Sequence, residues 1–132
     1  MIFVDSSYFI ARFLPRDGRH AEAVASDRAT STSRLLTSNL VVGETWTFLR
    51  RRAGYGPSMR WLDSVLGRVA LTVEPIDPDL EADAWAWLRV HDERPYSLVD
   101  ATSFALMRRK RIADALTFDG DFAAAGFNEL RP

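Results

Sequence analysis

YSLVDATSFALMRRKRIADALTFDGDFAAAGF, residues 96–127, is the stretch of sequence that decides the fold. Its first half, 96–111, predicts a helix, because apolar residues recur at helical spacing and basic residues collect at the end. The segment 112–118 leads into a short apolar strand, and GDFAAA at 120–125 predicts a helical turn. A helix, a buried strand and a second helical segment in this order are typical of proteins with a parallel sheet.

Strands alternate with helices in the same way along the whole chain. Strands are predicted at 2–4, 34–38, 69–76, 112–118 and, as an edge strand, 127–130. Helices are predicted at 6–14, 19–29, 39–53, 57–67, 77–93 and 96–111. We therefore predict an α/β fold, a single domain over residues 1–132 with a mostly parallel central sheet of four to five strands flanked by helices. In such folds the functional site lies beyond the carboxyl ends of the strands.

The composition limits the chemistry that this chain can perform. With 132 residues and 47% hydrophobic content, the chain is long enough for one domain with a buried core. It has no cysteine, which excludes disulfides, thiolate metal sites and a cysteine nucleophile. No apolar stretch approaches the roughly 20 residues that span a bilayer, and the N-terminus lacks a basic start. We expect a cytoplasmic protein.

The charge distribution argues against a protein that coats nucleic acid, because the net charge is −1 and the pI is about 6.1. It does not exclude an enzyme that acts on nucleic acid. Arginines cluster at 50–52 and again near 108–111. Such residues at helix ends complement the helix dipole and lie in solvent, which explains most of them. A contact with phosphate for one or two of them stays open.

Four acidic residues occupy positions where solvated acids are uncommon. Asp5 directly follows the strand IFV, and Asp119 follows the segment LTF, so both are expected at one edge of a parallel sheet. Glu44 shares a helix face with Val41 and Phe48, which places its carboxylate in an apolar stripe. Asp100 is similarly surrounded by apolar residues at helical spacing. Burial of an unpaired carboxylate costs several kcal/mol, so each acid needs a partner or a cleft.

Structural roles compete with a functional one for these acids. Asp100 lies three residues after Ser97, as in a capping box, and this role alone would explain it. Asp5 has the alternative of accepting bonds from the amides of the next helix. If the four acids converge, however, they repel one another unless they bind a hard cation, and oxygen ligands favour Mg²⁺ or Mn²⁺. A metal held in this way supports hydrolysis of a phosphodiester.

Three segments together resemble the PIN-domain nucleases, and in particular the VapC-type toxins of toxin–antitoxin pairs. These segments are MIFVDSSYFIA at the start, TSNLVVGETWTFLRR in the middle and the stretch at 96–127 quoted above. The first and last are specific, whereas the middle one is weak by itself. The resemblance covers essentially the whole chain and implies one PIN-like domain.

The resemblance implies a Mg²⁺-dependent endoribonuclease, with Mn²⁺ as a possible substitute. The acidic ligands of the family correspond here to Asp5, Glu44, Asp100 and Asp119. The hydroxyl residues correspond to Ser6 and Thr117, and Asp121 fills an auxiliary acidic position. The implied partners are an RNA substrate, a second copy of the chain and a cognate antitoxin. Phe118 departs from the family pattern, where Asn, Arg or a small residue is common.

Other functions fit the sequence less well. The motif FDGDF is similar to the signature of haloacid-dehalogenase phosphatases, but there it belongs on the first strand of a longer domain. A receiver domain needs a lysine on a late strand, and the single lysine, Lys110, falls at a helix end. His20 and His91 have no companions for serine hydrolase chemistry. A non-catalytic binding or scaffold domain that retains the acidic cleft stays as the alternative.

Apolar residues beyond one helix face point to a possible interface. Val42, Trp46 and Leu49 form a second stripe on the helix that carries Glu44. The stripe fits burial in the core and an interface equally well. Trp85 and Trp87 lie two residues apart on one helix and cannot face the same way.

Overall fold

Five parallel strands form one sheet in this computed structural model, which describes residues 1–132. The strands are β1 (Ile2–Val4), β2 (Leu35–Ser38), β3 (Leu71–Glu74), β4 (Asp114–Leu116) and β5 (Asn128–Glu129). Their order across the sheet is β3-β2-β1-β4-β5, and every neighbouring pair is parallel. The predicted α/β class, the parallel sheet and the final edge strand are confirmed.

Seven helices connect the strands and flank the sheet. They are α1 (Ser6–Phe13), α2 (His20–Ala29), α3 (Asn39–Ala53), α4 (Tyr55–Leu66), α5 (Pro78–Arg89), α6 (Leu98–Lys110) and α7 (Asp121–Ala124). None of these helices combines the length and the apolar character needed to cross a membrane.

The core surrounds the central strand β1. Phe3 and Val4 are fully buried, because a strand in the middle of a sheet with helices nearby has no solvent-facing side. Helix α6 is buried on almost every side from Asp100 to Met107, and its Phe104 ring packs edge-on against Phe122 at 5.0 Å between centroids. The helix that carries Asp100 is therefore held rigidly against the sheet.

Helix α3 covers the predicted residues 39–53, whereas the start of α4 differs from the prediction. Ser38 caps α3 by accepting the amide of Val41 at 3.1 Å, and the side chain of Asn39 accepts the amide of Ile76. For α4 we expected Pro57 at the first position. The helix starts earlier, at Tyr55, because Gly54 adopts a φ of 95° that turns the chain directly from α3 into α4.

Several elements are shorter than predicted. Strand β3 covers four residues, and α5 ends at Arg89 rather than at 93. Strand β4 ends at Leu116, because its partner β1 ends at Val4 and offers no further backbone to pair with. The expectation that Asp119 directly follows a strand was therefore wrong. A turn of two residues separates it from β4, and this turn carries it over the sheet edge.

The second apolar stripe of α3 belongs mainly to the core. Val42 and Leu49 are buried within the chain, and Trp46 is partly buried against the same cluster. Trp85 and Trp87 face different ways, as predicted. The side chain of Trp85 is 48% exposed, whereas Trp87 packs edge-on against Phe104. The second apolar stripe of α3 therefore supplies no free surface of its own.

Candidate metal centre

Strands β1 and β4 end side by side and place Asp5 next to Thr117. The pairing of Val4 with Leu116 makes these the first residues beyond the paired strands. Asp5 is 3% exposed, and its Oδ2 atom accepts the hydroxyls of Ser7 at 2.8 Å and Thr117 at 3.0 Å. These two hydroxyls hold the carboxylate at the edge of the sheet.

Backbone amides fix the direction of both hydroxyls. The amide of Phe118 donates to Ser7 Oγ at 2.9 Å, and the amide of Asp119 donates to Thr117 Oγ1 at 3.0 Å. Since each oxygen accepts from an amide, its own proton is free to point at Asp5. The turn after β4 thus organises the acid that follows β1, although 112 positions separate Asp5 from Thr117.

Asp5 also caps α1, because its side chain accepts the amide of Ser7 at 3.4 Å. The structural role considered from the sequence is therefore present. It does not balance the burial of the charge, however. Desolvation raises the pKa of Asp5 despite the donors from Ser7 and Thr117, and no cation pairs with this carboxylate.

Asp100 likewise combines a capping role with a place in the acidic group. Ser97 and Asp100 form the predicted capping box, in which each side chain accepts the other residue's amide at 3.0 Å. Burial raises the pKa of Asp100 to about 7, and the bond from the Ser97 amide opposes this shift only in part. The charges of Asp119, Asp5 and Asp121 raise the pKa further. Capping alone does not account for this environment.

Asp119 and Asp121 occupy the turn that leads into α7. Asp119 Oδ1 accepts the amide of Asp121 at 3.0 Å, a contact that resembles a helix cap at the start of α7. Burial raises the pKa of Asp119 to about 6, and the nearby charge of Asp121 contributes to the shift. Asp121 itself pairs with Arg94 Nε at 2.7 Å.

Three carboxylates meet at this edge of the sheet. Ligand atoms of Asp100, Asp119 and Asp121 all lie within 4.8 Å of one another. Asp5 borders the group, since its charge raises the pKa of both Asp100 and Asp119. Oxygen donors at this spacing, with raised pKa values at Asp100 and Asp119, fit a hard divalent cation, which would relieve the repulsion between the charges.

Glu44 lies at the margin of the acidic group and is exposed to solvent. The expectation that it emerges from an apolar stripe was wrong, because α3 buries Val41 and Thr45 and leaves Glu44 and Phe48 on its open side. Its contact with the site is Ser6, whose hydroxyl donates to Glu44 Oε1 at 2.6 Å. Glu44 is not part of the three-carboxylate group.

Two residues of the site were missed in the sequence. Ser7, rather than Ser6, bonds Asp5, and the signal for it was the spacing of two residues at which a capping acid receives an amide. Arg94 lies in the loop before α6 and pairs with Asp121. No pattern in HDERPYS distinguishes this arginine from the other exposed ones.

The fold and the site together define a class of protein: an α/β domain with an acidic centre, suited to a divalent cation, at the carboxyl ends of its central strands. Comparisons with known proteins narrow this class. A family model described as the PIN domain matches residues 2–128.

Two curated relatives come from Mycobacterium tuberculosis, strains CDC 1551 / Oshkosh and ATCC 25618 / H37Rv, and each is named 23S rRNA-specific endonuclease VapC20. Each is 50% identical to the chain over 132 residues, which is 100% of the chain and 99% of the relative. A crystal structure of VapC20 from Mycobacterium tuberculosis, described as a sarcin–ricin loop cleaving toxin, has a TM-score of 0.93 and 48% identity, with 100% of both chains covered.

The chain belongs to the PIN domain family, as a VapC-type nuclease. The resemblance in its first, middle and last segments is thereby confirmed. The membership excludes the three other hypotheses, namely a haloacid-dehalogenase phosphatase, a receiver domain and a serine hydrolase.

Proposed function

We propose that the chain is a Mg²⁺- or Mn²⁺-dependent endoribonuclease toxin that hydrolyses RNA phosphodiester bonds. The observation that carries this proposal is the meeting of Asp100, Asp119 and Asp121 within 4.8 Å, beside the buried Asp5. A scaffold domain gains nothing from desolvated acids that repel one another, whereas a nuclease uses them to hold a cation. The non-catalytic alternative is therefore disfavoured.

We assign the metal-binding role to Asp5, Glu44, Asp100 and Asp119, directly or through water, with Asp121 as an auxiliary. A divalent cation held by these acids would supply activation of water and neutralisation of charge on the phosphodiester. Thr117 keeps the Asp5 carboxylate in place through the 3.0 Å bond. Ser6 bonds Glu44 and thereby ties the outer acid to the first turn of α1.

The names of the relatives support a proposal for the substrate. These relatives are named as endonucleases specific for 23S rRNA, and the crystallised toxin is described as cleaving the sarcin–ricin loop. With 50% identity along the whole length, we propose that this chain cuts the same loop of the large ribosomal RNA.

The proposed partners complete the picture of a toxin. They are a second copy of the chain in a homodimer and a cognate antitoxin that blocks the acidic cleft, with residues 1–132 acting as one unit in the cytoplasm. Co-expression with the product of a short neighbouring reading frame, followed by size-exclusion chromatography, tests both contacts. Recovery of the chain as a monomer that binds no such product would contradict this part of the proposal.

The decisive experiment measures cleavage of purified ribosomes and of a sarcin–ricin stem–loop RNA by the purified chain. We expect cleavage with Mg²⁺ or Mn²⁺, none in excess EDTA, and recovery when either metal is added back. The matched control is Asp100→Asn, which keeps the capping oxygen but removes a charge. Cleavage that persists in EDTA, or that survives in the Asp100→Asn protein, would refute the metal mechanism.

A further inference from the structure

A groove beside the acidic centre is lined by arginine and by an exposed aromatic ring. It consists of two adjoining cavities of about 430 and 500 Å³, which share Phe48 and Arg52. The larger cavity also contains Glu44, which accepts the hydroxyl of Ser6, the residue after Asp5. The groove therefore begins at the margin of the proposed metal centre and continues away from it. We call it the α3 groove.

One face of α3 supplies most of this groove. Glu44, Phe48 and Arg52 are spaced four residues apart and lie above one another on the helix. At 1.5 Å per residue, Phe48 lies about 6 Å along the axis from Glu44. A group held against Phe48 is thus only a short distance from Glu44, at the margin of the acidic centre.

The α3 groove carries a small excess of positive charge, because three arginines and two acids line it. Arg16, Arg51 and Arg52 line it, are exposed, and form no ion pair. Of the two acids in the groove, Asp17 accepts the amide of Arg19 and Glu44 accepts the Ser6 hydroxyl. A position at the end of a helix explains arginine at 51 and 52 in part, but it does not explain Arg16, which follows α1.

The ring of Phe48 is 39% exposed, and the guanidinium of Arg52 lies over it at 5.7 Å from the ring centroid. Apart from this contact with Arg52, Phe48 is not among the residues that pack against the hydrophobic core. Unpaired bases stack on aromatic rings and on guanidinium planes, and this stacking tolerates any base. The positive charge of the groove favours an RNA strand over a positively charged or neutral partner.

We propose that the α3 groove binds the nucleotide next to the scissile phosphate, with its base stacked on Phe48 and Arg52 and its phosphates facing Arg16 and Arg51. This inference rests on the proposed ribonuclease function and names the surface that positions the single-stranded part of the substrate. Phe48 is a positioning residue, because it touches a neighbouring base rather than the reacting atoms.

A matched control exists in the same region of the chain. Arg50 lies over the ring of Tyr55 at the same 5.7 Å, and Tyr55 is 60% exposed. Neither residue lines the α3 groove. Tyr55→Ala therefore removes a more exposed aromatic ring, also covered by an arginine, without touching the proposed RNA surface.

The test uses the full chain with Asp100→Asn, so that RNA binds without being cut, and a sarcin–ricin stem–loop RNA as the probe. A series of probes carries one abasic site at each nucleotide around the cleavage point, and affinity is measured by fluorescence anisotropy. We expect one abasic position to weaken binding on the order of 10-fold, the effect of losing one stacked base. Phe48→Ala should weaken binding of the intact probe similarly and abolish the penalty at that same position.

Further variants separate stacking from folding. Phe48→Leu keeps an apolar side chain, so it should preserve the melting temperature and still weaken RNA binding. Phe48→Trp keeps an aromatic ring and should retain the affinity for RNA. Arg52→Lys keeps the charge but not the planar group, and should weaken binding less than Phe48→Ala does. Arg51→Ala should reduce the slope of log affinity against log salt by about 0.7, the value for one lost single-strand phosphate contact.

Several results would overturn the inference. Equal losses in Phe48→Ala and Tyr55→Ala would show a general effect, and an abasic penalty that survives in Phe48→Leu would place the stacking elsewhere. Loss of antitoxin binding with unchanged RNA affinity would make the groove a protein-binding surface. If the parent chain with Asp100 intact cuts the loop at the same rate as its Phe48→Leu variant, only this inference fails. If that chain does not cut at all, the proposed function fails first.

Discussion

The junctions β1–α1 and β3–α5 use the same local device with opposite electrostatic results. In each, an aspartate that follows a strand caps the next helix: Asp5 accepts the amide of Ser7, and Asp77 accepts the amide of Leu80. Asp77 is exposed and pairs with Arg109 at 2.7 Å, and the bonds from Arg109 lower its pKa. Asp5 is buried without a cation, and desolvation raises its pKa.

The difference shows that a capping role does not decide whether an acid is structural. Asp77 has amide donors and a counter-ion, so its charge is balanced within the chain. Asp5 has donors but shares its surroundings with the charges of Asp100 and Asp119. An acid whose donors are complete but whose charge is unbalanced has the property that a cation site requires.

The largest expected effect separates these two aspartates by cleavage rate. Asp5→Asn should lower single-turnover cleavage of the stem–loop RNA by roughly 10²- to 10³-fold, because one charge that stabilises the bound cation is lost. Asp77→Asn should leave the rate unchanged, since its charge serves only α5 and Arg109. Comparable losses in both variants would break the distinction between the two junctions.

Stability should respond in the opposite sense. In EDTA at pH 8, Asp100→Asn should raise the free energy of unfolding by about 1–3 kcal/mol, because repulsion and desolvation of a charge are removed while the capping oxygen stays. Asp77→Asn should lower the melting temperature, because its ion pair with Arg109 is lost. Urea titrations and thermal scans measure both. A destabilised Asp100→Asn protein would mean that capping by the charged form outweighs the repulsion.

The pH dependence follows from the same pKa shifts. A carboxyl whose pKa is higher in the folded state stabilises the fold below its unfolded value, and this contribution is lost as the pH rises through the folded value. For Asp100 the window lies between 3.8 and about 7. The free energy of unfolding of the metal-free protein should therefore fall over this range. The slope should be steeper than in Asp100→Asn by on the order of 1 kcal/mol per pH unit. Asp77 should act oppositely, stabilising the fold above its unfolded value. Parallel pH profiles for the parent chain and its Asp100→Asn variant would argue against a raised pKa of Asp100 in the folded state.

The smallest expected effect concerns the one acid of the group that has a counter-ion. Arg94 pairs with Asp121 as Arg109 pairs with Asp77. Arg94→Gln should strengthen Mn²⁺ binding, measured by calorimetry, by about 2- to 5-fold, because a competing positive charge disappears and exposed ion pairs are worth little. Arg109→Gln is the matched control and should not change the affinity. Weaker Mn²⁺ binding in Arg94→Gln would show that Arg94 holds Asp121 in its binding position.

The sequence predicted the fold well because its signals were local. The apolar strands and the Ser97–Asp100 cap follow from neighbouring residues, and parallel strands then imply that Asp5 and Asp119 share an edge. The details that failed depend on contacts between distant segments. The choice of Ser7 as the partner of Asp5 depends on the amide of Phe118, 111 positions away.

The rotation of α3 is a second case that the sequence did not decide. Apolar residues lie on more than one face of this helix, so Glu44 fitted a buried stripe as well as an open one. Its packing against α1 and β2 selects the orientation, with Thr45 inside and Phe48 outside. Arg94 was equally unpredictable, because an arginine in a loop gains a role only once Asp121 is placed beside it.

The pairing of β1 with β4 also sets the order in which the protein matures. A ribosome adds about 5–20 residues per second, so Asp121 is added to the chain roughly 6–23 s after Asp5. For most of that interval the residues of β4 have not been added, and neither has Thr117, whose hydroxyl holds Asp5 in the folded chain. Contacts across so many positions close slowly. The acidic centre is therefore incomplete in the nascent chain and forms only when its two distant halves, the residues after β1 and those after β4, have met.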